Sequence, residues 1–67
     1  MSDFRDLVAL LLRLGFRQRI RGDHHILWKD GLSEIINLQP RGSLAKPYQV
    51  RQVRSILARY ALGLDDD

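Results

Sequence analysis

The chain lacks cysteine altogether, so neither a disulfide framework nor a thiolate zinc site can hold its fold together. It also lacks a long apolar run, because the longest one, residues 7–12, is far shorter than the roughly 20 residues of a membrane span. That run follows Asp3 and Asp6 instead of a basic leader, which is not the pattern of a signal peptide. These absences predict a cytoplasmic protein with no membrane segment.

The chain is also short, which limits what it can enclose. Its 67 residues are 45% apolar and 28% charged, a mixture too apolar and too patterned for a disordered chain. We expect one domain over residues 1–64, followed by an acidic tail at 65–67. A domain of this size commits most of its apolar side chains to one core. Multi-domain enzymes and dinucleotide-binding folds are excluded, and we expect no small-molecule cofactor.

Acidic residues are scarce outside the tail. Eleven Lys and Arg stand against eight Asp and Glu, a net charge of +3, and residues 1–64 alone carry +6. Nine of the eleven cations are arginine, whose guanidinium group pairs with phosphate oxygens and stacks on bases. A solvated basic surface is the ordinary alternative. The charge favours a partner that is nucleic acid, or an acidic protein that mimics it.

The first segment has the pattern of an amphipathic helix. Ser2 or Asp3 can cap its start, and Gly15 can close its end. Apolar residues at three- and four-residue spacing form one stripe: Phe4, Leu7, Val8, Leu11 and Leu14. Leu10 and Leu12 widen this apolar surface. We favour a place in the core for these two leucines, and a partner-binding face is the alternative.

After Gly15 the apolar period changes from nearly four to two, which predicts β-strands. Phe16, Gln18 and Ile20 are expected to face inward and alternate with an outward row of arginines: Arg17, Arg19 and Arg21. Gly22-Asp23 predicts a two-residue turn into a second strand over residues 24–28. A second turn over residues 29–31 leads to a third strand over residues 32–38. Two successive hairpins make a three-stranded antiparallel sheet.

A loop over residues 39–47 precedes a second amphipathic helix. Pro47 can be its first residue, and Gly63 can end it. Its apolar stripe consists of Val50, Val53, Ile56, Leu57 and Tyr60. The order α-β-β-β-α predicts an α+β domain with both helices on one face of the sheet and the other face open. This is the topology of the double-stranded-RNA-binding domain.

Two adjacent histidines begin the second strand. Alternation places His24, Ile26 and Trp28 on one face and His25 with Leu27 on the other. Because the two histidines point apart and no cysteine is present, we do not expect a zinc site. A histidine flanked by arginines suits phosphodiester cleavage, since imidazole exchanges protons near neutral pH and guanidinium stabilises phosphoryl charge. RNA supplies its own nucleophile, the 2′-hydroxyl group.

Three segments resemble one family in the same order along the chain. The opening helix leads into Leu14-Gly15-Phe16, where that family has Gly followed by an aromatic residue. Residues 19–25, Arg-Ile-Arg-Gly-Asp-His-His, contain a glycine shortly before a histidine pair. Residues 52–57 are similar to its final-helix motif. The chain thus resembles, over about residues 3–62, the HicA family of bacterial type II toxins, small RNA-cleaving proteins with the double-stranded-RNA-binding-domain fold.

The resemblance implies a toxin that cleaves mRNA without metal and is neutralised by a HicB-type antitoxin covering the histidine face. It assigns catalysis to His24, a structural role to His25, and the tight turn before them to Gly22, which forms the predicted two-residue turn together with Asp23. We expect RNA to bind basic and aromatic side chains: Arg17, Arg19, Arg21, Trp28, Arg41 and Lys46. Trp28 would stack on a base or dock a partner, or else complete the edge of the core.

The chain departs from the family pattern at two places near the histidines. Asp23 stands where serine is commonest, and a carboxylate there would either orient the imidazole or repel phosphate. Leu38-Gln39-Pro40 stands where the family usually carries Pro-His-Pro, so a later histidine is missing. The alternative to a nuclease is therefore a non-catalytic module of the same fold that binds RNA or protein.

Overall fold

The computed structural model describes residues 3–64, with side chains described as far as residue 60. The elements follow the predicted order: α1 (Phe4–Arg13), β1 (Arg17–Arg21), β2 (His24–Trp28), β3 (Ile36–Leu38) and α2 (Pro47–Leu64). The α+β fold class is confirmed, and it is consistent with the double-stranded-RNA-binding-domain fold. The proposed acidic tail at 65–67 lies outside the described residues. Neither α1 nor α2 is long and apolar enough to cross a membrane within the described part of the chain.

Helix α1 is fixed at both ends by local hydrogen bonds. The Asp3 carboxylate caps the start by accepting the backbone N–H of Arg5 at 2.8 Å. At the other end Gly15 adopts a φ of +96°, and the backbone N–H of Phe16 donates to the Leu11 carbonyl at 3.0 Å. This is the Schellman pattern of helix termination. It turns the chain sharply into β1, as the sequence predicts.

The three strands form one antiparallel sheet in the order β1-β2-β3. Gly22 and Asp23 are the two loop residues between paired Arg21 and His24. Gly22 has a φ of +59°, a conformation that favours glycine in a tight hairpin loop. The predicted turn is therefore confirmed.

The strand register divides the side chains of the sheet between two faces. The open face carries Arg17, Arg19, Arg21, His24, Ile26, Trp28 and Asn37. The closed face carries Gln18, Ile20, His25, Leu27, Ile36 and Leu38. The alternation predicted for β1 and β2 is confirmed. Ile20 points to the closed face, as expected, but its side chain is 53% exposed. The reason is that β1 is an edge strand of the sheet.

Strand β3 is shorter than the predicted strand over residues 32–38. It comprises only Ile36–Leu38. The backbone N–H of Leu32 instead closes the preceding turn by donating to the Lys29 carbonyl at 3.0 Å. Glu34 is bound through its side chain to α2, and Ile35 is 65% exposed. The first four residues of the predicted strand thus serve as a loop against α2.

The core lies between the closed face and both helices, which confirms the predicted placement of α1 and α2 on one side of the sheet. Its buried side chains are Phe4, Val8, Leu11, Phe16, Leu27, Ile36, Leu38, Ala45, Val53 and Ile56. The prediction that Leu10 and Leu12 belong to the core is wrong, because they are 39% and 40% exposed. Neighbouring helical residues point about 100° apart, so both leucines flank the stripe around Leu11. Leu14, also expected in the stripe, is exposed at the helix end.

Helix α2 begins at Pro47, as predicted, and continues through Gly63 to Leu64. The prediction that Gly63 ends the helix is therefore wrong, since glycine lowers helix propensity without preventing a helix. The predicted stripe of α2 is confirmed, because its members either belong to the core or pack against it. Gln49, in the first turn, is only 1% exposed and is the polar residue of the buried set.

Candidate active site

A row of three arginines lies along β1 on the open face. The register pairs each of them with one side chain of β2: Arg17 with Trp28, Arg19 with Ile26, and Arg21 with His24. Alternate residues of a strand repeat at about 6.8 Å, so the row is about 14 Å long. Directly opposed side chains start about 5 Å apart at Cβ. The fold therefore places one positive charge beside the histidine and two more along an extended track.

Trp28 lies at the far end of this track, on the open face and half-buried. The guanidinium carbon of Arg17 lies 5.9 Å from the centroid of its ring, within the range of a cation–π interaction. Asp30 lies 4.0 Å from Arg17, and both side chains are well exposed, so this ion pair is weak. Trp28 thus presents part of an aromatic surface next to a cation, which is a suitable platform for a base.

His24 lies at the start of β2, where its side chain is 48% exposed. Its Nδ1 atom lies 3.2 Å from Asn37 Oδ1, on the neighbouring strand β3. An amide oxygen can only accept a hydrogen bond, so Nδ1 donates to Asn37 Oδ1 in the tautomer that carries the proton on Nδ1. The other ring nitrogen, Nε2, lies 3.9 Å from Asp23 Oδ1, which is close enough to attract a protonated ring. The contact with Asn37 thus holds the Nδ1 side of the imidazole, and the half-exposed side chain leaves Nε2 free to exchange protons with a substrate.

Asp23 is an ionised carboxylate that is anchored through its Oδ2 atom, while its Oδ1 atom lies near the imidazole of His24. Gln39 Nε2 donates to its Oδ2 at 2.9 Å. This hydrogen bond is the main reason that the pKa of Asp23 lies below its ordinary value of 3.8, with smaller contributions from a backbone hydrogen bond and from the charges of His24 and Lys46. At neutral pH the site therefore contains one fixed negative charge next to His24.

Buried Gln49 connects this arrangement to the helix layer. Its Nε2 atom donates to the backbone carbonyl of Gln39 at 3.1 Å, and its Oε1 atom accepts the backbone N–H of Lys46 at 3.3 Å. Both ends of a buried amide are thus used, as burial of a polar group demands. Gln49 fixes the path of the loop that carries Gln39, and Gln39 in turn holds Asp23.

His25 has different surroundings from its neighbour. Its side chain is half-buried on the closed face, where Nδ1 lies 2.9 Å from Gln18 Oε1. Its ring meets the ring of Phe4 edge-on, with centroids 4.9 Å apart. His25 thus points toward α1, where the alternation predicts it. These contacts fit a packing role.

Two of the expected RNA-binding residues lie outside the sheet. Lys46 immediately precedes α2 and lies close enough to Asp23 to lower its pKa. Arg41 is exposed in a tight turn, where its backbone pairs with that of Leu44. Among the described residues, no hydrogen bond or ion pair joins Arg41 to His24. Within residues 3–60, no group of three or more His, Asp or Glu side chains is placed to hold a metal ion.

Comparison with known protein families gives a match to one family model. A family model for the HicA toxin of bacterial toxin-antitoxin systems matches residues 4–61, nearly the whole chain. The chain belongs to the HicA toxin family. Membership gives it the role of a toxin and implies an antitoxin partner. No curated protein and no solved structure gives a significant match.

The two departures from the HicA pattern contact each other. From the resemblance described in the sequence analysis, serine is expected at position 23 and histidine at position 39, where this chain has Asp23 and Gln39. The hydrogen bond between Gln39 Nε2 and Asp23 Oδ2 joins them at 2.9 Å. Asp23 is therefore not an isolated negative charge on the open face, since one of its carboxylate oxygens accepts a hydrogen bond within the protein.

Three residues of this site are not among the site residues predicted from the sequence: Asn37, Gln39 and Gln49. Asn37 alternates with buried Ile36 and Leu38, so the period of the strand does place it on the open face. The diagonal contact with His24 depends on the register between β2 and β3. The sequence does not predict this register, because the length of the loop before β3 is not evident from it. A glutamine in the first turn of an amphipathic helix gives no signal of burial.

Proposed function

We propose that the chain is the toxin of a type II toxin–antitoxin system and cleaves mRNA, with His24 as the acid–base group and without a metal ion. The observation that carries the proposal is the position of His24 on the open face, directly opposite Arg21 in the strand register. The strand and the contact with Asn37 hold the imidazole, while half of the side chain stays accessible. Family membership supports the toxin role.

The cleavage step uses a nucleophile that RNA itself supplies. His24 removes the proton of a ribose 2′-hydroxyl group, and the oxygen attacks the adjacent phosphorus. The bond from phosphorus to the 5′-oxygen breaks, and the imidazolium returns its proton to that leaving oxygen. The products are a 2′,3′-cyclic phosphate and a 5′-hydroxyl end. Arg21 lies next to His24 and stabilises the negative charge that develops on the phosphoryl oxygens.

The rest of the open face binds the RNA strand. Arg17 and Arg19 extend the row of positive charge away from His24, and Trp28 offers a base a stacking surface beside Arg17. Lys46 and Arg41 lie on the segment between β3 and α2 and add positive charge there. This division of roles places the scissile phosphate at one end of the track and the neighbouring nucleotides along it.

The antitoxin partner is a HicB-type protein that covers the open face. The face is rich in arginine and carries exposed aromatic and aliphatic surface, so an acidic and partly aromatic partner surface would complement it. Covering this face blocks both the RNA track and His24. Neutralisation then requires no change in the fold of the toxin.

The direct test is cleavage of an mRNA by the purified chain in the presence of a metal chelator. We expect the native protein to cleave it, and His24→Ala to lose activity by a factor of about 10² to 10⁴. An all-2′-deoxy analogue of the same sequence should bind without being cut. Equal cleavage by the native protein and His24→Ala, or cleavage of the deoxy analogue, would contradict the mechanism.

The same samples test the non-catalytic alternative. A binding module would retain the RNA with a steep salt dependence and leave it intact, with or without His24. Induction in growing cells separates the two further. A nuclease toxin should arrest growth only when His24 is present, and co-expression of the antitoxin should restore growth.

A further inference from the structure

We infer that Asn37 is a positioning residue that fixes the proton of His24 on Nδ1 and leaves Nε2 as the nitrogen that exchanges protons with the substrate. The inference rests on the proposed function for its consequence in catalysis. The arrangement itself rests on the contact of 3.2 Å between His24 Nδ1 and Asn37 Oδ1.

The register explains why this contact is specific to Asn37. Ile26 is the residue directly opposite Asn37, and His24 lies two positions before Ile26 on β2. His24 and Asn37 are therefore diagonal neighbours on one face, at a separation that two longer side chains can bridge. β3 contributes only Asn37 to the open face, because Ile36 and Leu38 are buried on the other side.

The consequence for chemistry follows from the two ring nitrogens. A neutral histidine in water prefers its proton on Nε2, which would make Nδ1 the basic nitrogen. Asn37 Oδ1 reverses this preference because it accepts only from a protonated Nδ1. The basic lone pair then lies on Nε2, the nitrogen 3.9 Å from ionised Asp23. When Nε2 takes a proton, the new positive charge arises next to a carboxylate that attracts it.

The second histidine provides an internal control. His25 makes an equivalent contact from Nδ1 to Gln18 Oε1 at 2.9 Å, but on the closed face and toward β1. A substitution at Asn37 should change the tautomer of His24 alone, and Gln18→Leu should change that of His25 alone. Because Asn37 is exposed, its substitution should leave the fold intact.

The experiment is ¹⁵N NMR of the imidazole rings in the full chain, at a pH where both are neutral. We expect the native protein to show the Nδ1–H form at His24, Asn37→Leu to shift it toward the Nε2–H form, and Asn37→Asp, which keeps an acceptor, to retain Nδ1–H. The His25 signals should be the same in all three proteins. A native protein with the Nε2–H form, or an unchanged tautomer in Asn37→Leu, would overturn the inference.

Kinetics then connect the tautomer to cleavage. Asn37→Leu should lower kcat about 2- to 10-fold, the range expected for loss of one hydrogen bond. Asn37→Asp should keep kcat and raise KM, since it adds a negative charge to the RNA track. An unchanged kcat in Asn37→Leu would refute the positioning role. If His24→Ala cleaves as fast as the native protein, the proposed function fails while the NMR result still decides the tautomer.

Discussion

His24 and His25 are adjacent in the chain, but they lie on opposite faces of the sheet and differ in exposure and in the residues they contact. His24 is half-exposed and lies opposite an arginine, with its contacts on β3 and the hairpin turn. His25 is half-buried, contacts Gln18 on β1 and packs on Phe4 of α1. One step along a strand is enough to move a histidine from solvent to the helix layer.

The comparison extends to the whole sheet. The closed face contributes three side chains with no exposed area, Leu27, Ile36 and Leu38, whereas every side chain of the open face is at least partly exposed. Burial of apolar area is the main source of stability in a small domain. Stability is therefore expected to depend on the closed face, and chemistry on the open face.

The strongest test of this separation exchanges the two histidines for alanine one at a time. His24→Ala should lower RNA cleavage by about 10² to 10⁴ while changing the free energy of unfolding by less than about 0.5 kcal/mol. His25→Ala loses a hydrogen bond and an aromatic contact, so it should destabilise the fold by about 1–2 kcal/mol. Cleavage assays and urea unfolding measure the two quantities. A large stability loss in His24→Ala would break the comparison.

The next largest effect is a loss of stability, and it differs between Leu27 and Ile26, which are neighbours in β2. Leu27→Ala should lower the free energy of unfolding by about 2–5 kcal/mol, because it removes a fully buried side chain and leaves a cavity. Ile26→Ala, on the open face, should cost about 1 kcal/mol or less. Denaturant titration of both variants is the measurement. Equal losses would show that the open face is also part of the core.

A smaller effect concerns the salt dependence of RNA binding. Arg19→Gln should reduce the slope of log affinity against log salt by about 0.7, the amount for one phosphate contact to a single strand. Arg51 is an exposed arginine of α2, on the helix side of the sheet, and Arg51→Gln should leave the slope unchanged. Binding is best measured with the His24→Ala background, so that the RNA stays intact. The same slope for both variants would mean that the arginine row is not the binding track.

The smallest effect is a pH dependence on the helix side. Glu34 accepts a hydrogen bond from Tyr60 and pairs with Arg59 at 2.8 Å. The Tyr60 hydrogen bond, helped by Ser33 and Arg59, holds the pKa of Glu34 below its ordinary value of 4.5. The stability from this lowered pKa is complete above pH 4.5 and is lost as the pH falls through the value in the fold.

Glu34→Gln should therefore make the acid limb of stability less steep below pH 4.5 without changing cleavage at neutral pH. Urea unfolding between pH 7 and pH 3 measures this difference. An acid limb identical to that of the native protein would show that the contact of Glu34 with α2 contributes nothing to folding. A change in cleavage would place Glu34 with the open-face chemistry.

Alternation along the strands accounts for most of what the sequence predicts correctly. It separates His24 from His25 and assigns the arginines of β1 to one face, because a period of two leaves no other arrangement. The start of β3 is not predictable in this way, since Glu34 is bound to α2 through contacts that are distant in sequence. The exposure of Leu10 and Leu12 is not predicted, because apolar character alone does not show the direction of a helical side chain. Asn37 requires the β2–β3 register, which only the folded chain provides.

The hydrogen bond between Asp23 and Gln39 also has an evolutionary consequence. Exchange of Asp23 for the serine common in the family would leave the Gln39 amide without its carboxylate acceptor, and exchange of Gln39 alone would free the carboxylate to face RNA. Each single substitution removes one partner of the same hydrogen bond, so the effects of the two substitutions on activity should not be additive. Positions 23 and 39 are therefore expected to be coupled, so that the residues at these two positions change together among relatives of this chain.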